Sequence, residues 1–99
     1  MATIDIRRTH QLSHADARAK AEALALAMQE KLGIVWSWDG EHVVRFDAPS
    51  GKAKGAKGQV TLSSDAVRVE IDLPFLLRPL KGLVEGKVKT RLDGLLGPG

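Results

Sequence analysis

The feature that most restricts what this chain can fold into is the run from Val67 to Leu96, VRVEIDLPFLLRPLKGLVEGKVKTRLDGLL, in which a strand pattern passes directly into a helix pattern. Val67, Val69, Ile71 and Leu73 alternate with Arg68, Glu70 and Asp72. A period of two with one apolar side predicts an antiparallel strand buried on one face and wet on the other. After Pro74 the period changes. Leu76, Leu80, Leu83, Val84, Val88, Leu92, Leu95 and Leu96 recur at three and four, with Lys81, Glu85, Lys89 and Asp93 between them. That spacing predicts a helix facing a core. Pro79 cannot sit inside such a helix without removing a hydrogen bond, so it is expected in the first turn, with Phe75 to Arg78 forming a separate turn.

The preceding chain supplies the packing partners. Ile4 and Ile6 alternate with Asp5 and Arg7 in a short first strand. Ser13 with Asp16 three residues later has the form of a capping box and should start a helix. Its apolar stripe is Ala17, Ala21, Leu24, Met28 and Leu32, and Gly33 is placed to end it in the left-handed conformation. Ile34 to Trp38 and His42 to Asp47 flank Asp39-Gly40, which predicts paired strands joined by a tight two-residue turn. The segment PSGKAKGAKG, Pro49 to Gly58, has three lysines, three glycines and no bulky apolar residue, so a mobile loop is expected. Val60 and Leu62 mark another strand, and Ser63-Ser64-Asp65 a turn. The order β-α-β-β-β-β-α predicts an α+β fold: an antiparallel sheet of about five strands with two helices on one face. The other face, carrying Asp5, Arg7, Arg45, Arg68, Glu70 and Asp72, should stay polar because burying those charges unpaired is costly.

Composition narrows the function classes. At 99 residues the chain is expected to form one domain, 1–99, with a modest core, for which a homodimer is a natural supplement. It has no cysteine, which removes disulfides, thiolate metal sites and cysteine nucleophiles and fits a cytoplasmic setting. No signal peptide or transmembrane run is visible. A net charge of +3 with only four aromatic residues (two Phe and two Trp) argues against specific nucleic-acid binding. His10, His14 and His42 lack metalloprotease spacing and are expected to be structural or exposed. Glu70 and Asp72 share a strand face, but Arg68 beside them makes a solvated charge ladder the better reading than acid-base catalysis. GKAKGAKG lacks phosphate-loop spacing. No catalytic, cofactor-binding or metal-ligating residue is assigned, and the chain is expected not to be an enzyme.

One surplus remains. Phe75, Leu76 and Leu77, with Leu80 and the basic Lys81 beside them, exceed what one core-facing stripe requires. These five residues are the candidate surface or partner contact. The last helix, ringed by Lys81, Lys87, Lys89 and Arg91, would also suit an apolar surface.

The opening IDIRRTHQL, the ADARAKAEALA helix, the LGIVWSWDGEHVVRF hairpin, GQVTL and the organising run resemble, in order and spacing, the polyhydroxyalkanoic acid system family. Proteins of that family are small, bacterial, and encoded with genes for making or using polyhydroxyalkanoate storage polymer. The resemblance implies a setting in polyhydroxyalkanoate metabolism and not a reaction; with the apolar surplus of the last segment, the expectation is a non-enzymatic accessory protein associated with the storage granule surface or with a granule protein. It transfers no catalytic motif. Two rivals are an acyl-ligand carrier or enzyme with a cleft between sheet and helices near Trp36 and Trp38, and a dimeric scaffold.

Overall fold

The computed structural model describes residues 3–51 and 53–96; Lys52 of the lysine-glycine segment lies outside them. Five strands and two helices follow in the expected order: β1 (Ile4–Thr9), α1 (His14–Leu32), β2 (Val35–Asp39), β3 (Val43–Asp47), β4 (Lys57–Leu62), β5 (Ala66–Asp72) and α2 (Lys81–Leu96). A 3-10 segment, Phe75–Leu80, joins β5 to α2. The fold is α+β. All strand pairs are antiparallel, and the sheet order is β1-β5-β4-β3-β2.

Register explains why only one face is buried. Ile4 and Ile6 lie opposite Ile71 and Val69, Val60 lies between Val69 and Val44, and Phe46 faces Gly58 and Trp36. These side chains point to the helices. The side chains in between, Asp5, Arg45, Gln59, Arg68 and Glu70, form the solvent face, as alternation requires. Both helices therefore share the apolar face. Helix α1 runs against β2 and β4, and α2 against β1 and α1.

The caps of α1 are those its sequence specifies. Ser13 Oγ accepts the Asp16 N–H at 3.1 Å, and Gly33, at φ 72°, donates its N–H to Gln29 O. The alanine-lined stripe is buried at Ala17, Ala21, Leu24, Ala25 and Met28, and such small side chains bring the helix close to the sheet.

Three details depart from expectation. The β2–β3 connection has three residues, Gly40 to His42, because Asp39 pairs with Val43. Pro79 lies within the 3-10 segment before α2, which begins at Lys81. The lysine-glycine segment is a closed loop: Ala48 N–H bonds to Ala56 O and Gly55 N–H to Ala48 O, and Ala48, Ala53 and Ala56 are buried. Small methyl groups suffice here because the backbone bonds extend the β3–β4 ladder past its last registered pair.

Gly58 is where strand, sheet and core meet most closely. A Cβ there would overlap the carbonyl oxygen of Glu70 and lie 2.8 Å from Phe46 Cζ, so the ring of Phe46 fills the place a side chain would take. Gly58→Ala should therefore lower stability by about 1–3 kcal/mol, the usual cost of overpacking. Chemical denaturation checks this, and a midpoint equal to that of the wild type would contradict the close approach.

Candidate functional site

Helix α2 is buried along a narrow line, Val84, Val88 and Leu92, with Leu95 and Leu96 half-buried at its end. Its upstream continuation does not follow that line into the core. Phe75 is 81% exposed, Leu76 86%, Leu80 42% and Leu83 59%. The stripe read as continuous in sequence is thus divided: its second half packs on the sheet and its first half faces outward. Of the five candidate contact residues, Phe75, Leu76, Leu80 and Lys81 are exposed, while Leu77 is half-buried against the core. The reason is local. Leu77 N–H bonds to Pro74 O, which turns the chain immediately after β5. The tighter 3-10 winding then sends Phe75 and Leu76 away from the sheet while Leu77 turns back. Leu83 continues the exposed set into α2.

Beyond Leu83 the surface becomes concave. A groove of about 710 Å3 runs between α1 and α2, with Leu24, Met28, Val88 and Leu95 among its apolar walls. Its position was not legible in the sequence, because it depends on how two helices divide one sheet face. The cleft expected between sheet and helices near Trp36 and Trp38 is not where the apolar groove lies. Both indoles are tied to α1 instead: Trp36 Nε1 donates to Gln29 Oε1 at 2.9 Å and Trp38 Nε1 to Glu22 Oε1 at 2.8 Å. The Arg18 guanidinium lies 4.1 Å from the Trp38 ring centroid. Each ring thus packs its apolar part at the core rim and satisfies its N–H on the edge of α1.

The open face carries a polar chain across all five strands. Arg45 bonds to Asp39 and Gln59, and Gln59 donates to Glu70. Arg68 holds Asp5 with two hydrogen bonds, at 3.0 and 2.6 Å, and its Nε is 3.8 Å from Glu70. Asp72 is opposite Lys57. Glu70 and Asp72 therefore stand in a ladder of cations and amides, not as a facing carboxylate pair. Among the histidines, the structure brings together two that the chain separates: the rings of His14 and His42 meet edge-to-face at 4.7 Å. His10 Nδ1 accepts the Leu12 N–H, while its Nε2 is buried without a partner. Among the described residues no three His, Asp or Glu side chains converge as a metal site would require.

Hydrogen bonds from Arg68 hold the Asp5 carboxyl below the usual carboxylate range against an opposing desolvation, and the guanidinium charge adds a smaller effect in the same lowering direction. Because this pKa is lowered in the folded state, the pair stabilises the protein at pH above the ordinary aspartate range. The contribution disappears as pH falls through the lowered value. The gap in unfolding midpoint between wild type and Asp5→Asn should accordingly be widest near neutrality and close on acidification; a gap independent of pH would show that the pair is not linked to folding.

No helix among the described residues is long and apolar enough to cross a membrane. No curated protein matches the chain. A family model does, over residues 4–96, nearly all of the sequence, and its description is "Putative polyhydroxyalkanoic acid system protein". The chain belongs to the polyhydroxyalkanoic acid system protein family.

Proposed function

We propose that this protein is a non-enzymatic accessory factor of polyhydroxyalkanoate metabolism that associates with the storage granule in the cytoplasm through the exposed run of Phe75, Leu76, Leu80 and Leu83. The observation that carries this reading is the exposure of Phe75 and Leu76, both above four-fifths, at adjacent positions just upstream of a helix that buries Val84, Val88 and Leu92. Moving a side chain of this size out of water is worth about 1.5–3 kcal/mol. Four within nine residues, three on the 3-10 segment and Leu83 on α2, make a surface that favours an apolar partner. Arg78 and Lys81, both exposed, give it a basic rim. A polyester surface offers apolar area together with ester carbonyl acceptors for that rim, and a granule protein would offer a similar combination.

Co-sedimentation with washed polyhydroxyalkanoate granules, bare and protein-coated, across a salt series tests the proposal. The reading predicts binding to bare polymer that survives high salt, because apolar contact is not screened. Replacing Phe75 and Leu76 by Asp should reduce binding by about tenfold or more while leaving stability within about 0.5 kcal/mol, since both side chains are exposed. Leu77 is unsuitable for this test because its half-buried side chain also supports the core. Binding that is unchanged in the double variant would remove the proposed contact. Salt-sensitive binding to coated granules alone would replace the polymer with a protein partner.

A further inference from the structure

The groove between α1 and α2 has a composition that the exposed apolar run does not share. Its apolar lining is aliphatic, and its α2 side is opened by Gly82, Gly86 and Gly94, exposed positions where an added Cβ would meet nothing within 4 Å. With Thr90 these positions recur every four residues and so lie along one side of the helix for about 18 Å. The volume, about 710 Å3, falls within the range of roughly 300–1,000 Å3 usual for small-molecule sites.

Its charges are of one sign. Lys31, Lys87 and Arg91 line the groove, and no acidic residue does. None of the three cations takes part in an ion pair among the described residues. The two acidic residues of α2 are engaged elsewhere, Glu85 with Lys89 and Asp93 with Arg8. Lys87 and Arg91, four residues apart on one helix face, repel each other when nothing lies between them. A second copy seated in the groove by the same surface would set these cations against their counterparts. A neutral apolar chain would leave them uncompensated. An anionic head on an apolar chain satisfies both parts of the groove.

We infer that this groove binds a single-chain acyl carboxylate, the hydrocarbon lying along Gly82 and Gly86 and the carboxylate held by Lys87 and Arg91 with Lys31 across from them. Charge-assisted bonds from these side chains fix the head, and burial of the chain supplies the rest of the affinity. The site is distinct from the proposed granule contact and does not depend on it, although Leu83 borders both.

Calorimetric titration of the full chain with monomeric laurate, dodecanol and dodecyltrimethylammonium tests the inference. Laurate should bind at a single saturable site, about tenfold or more tighter than dodecanol, and the cationic amphiphile should not compete. Gly86→Leu fills the groove at a position with free space on a helix, so this variant should unfold at or above the wild-type temperature and lose laurate binding by about tenfold or more. The double variant Lys87→Gln/Arg91→Gln should bind laurate no better than dodecanol. Equal affinity of the wild type for laurate and dodecanol overturns the inference, as does laurate binding retained by Gly86→Leu. Binding to anionic phospholipid vesicles without binding of monomeric laurate also overturns it, assigning the cations to a membrane surface instead. Failure of laurate binding with granule binding intact leaves the proposed function standing, and the reverse result separates the two equally well.

Discussion

The structure depends on one constraint: the sheet offers a single apolar face, and two helices must share it. The opposite face is a ladder of ion pairs and amides running from Asp5 through Arg68, Glu70, Gln59 and Arg45 to Asp39. Such exposed pairs add little stability individually, in the range of about 0–1 kcal/mol. Their larger effect is exclusion. No apolar partner can cover that face without desolvating charges that already have partners. Burial is thereby confined to the side where Ile4, Ile6, Val60, Val67, Val69 and Ile71 project.

Sharing that side has structural consequences. Helix α1, with alanines at Ala17, Ala21 and Ala25, lies close to the sheet, and its polar edge holds both tryptophans of β2 by their indole N–H groups. Helix α2 takes the remaining strip over β1 and is pinned at its outer side by Arg8 to Asp93. Only Val84, Val88 and Leu92 fit beneath it. Leu83 is left facing outward, continuing the exposed set of the 3-10 segment, and Leu95 borders the space between the helices. Both candidate surfaces thus follow from the same geometry: a helix with more apolar residues than its share of the sheet can cover.

Much of this architecture was legible because it is encoded locally. Alternation at Val67 to Leu73, the Ser13 cap and the Gly33 terminator each depend on neighbours within a few residues, and each appears where the pattern places it. The features that escaped sequence reading depend on distant partners. The lysine-glycine segment looked unable to order itself, yet a backbone ladder with Ala48 and three buried methyl groups closes it. Periodicity alone assigned Leu76, Leu80 and Leu83 to the same stripe as Val84 and Val88; the 3-10 winding from Phe75 to Leu80 changes their direction. The His14–His42 contact joins a helix start to a hairpin tip, and the groove exists only because two helices lie side by side. The surplus of apolar residues near Phe75 was visible, but which of them face outward was not.

Association through the run from Phe75 to Leu83 would leave the open sheet face free. Hydrogen-deuterium exchange, followed by mass spectrometry on the protein alone and bound to washed granules, tests it directly. Added protection is expected in peptides spanning 75–83, with those from β2 and β3 unchanged. Protection concentrated on β2 and β3, with 75–83 exchanging as in the free protein, would contradict it.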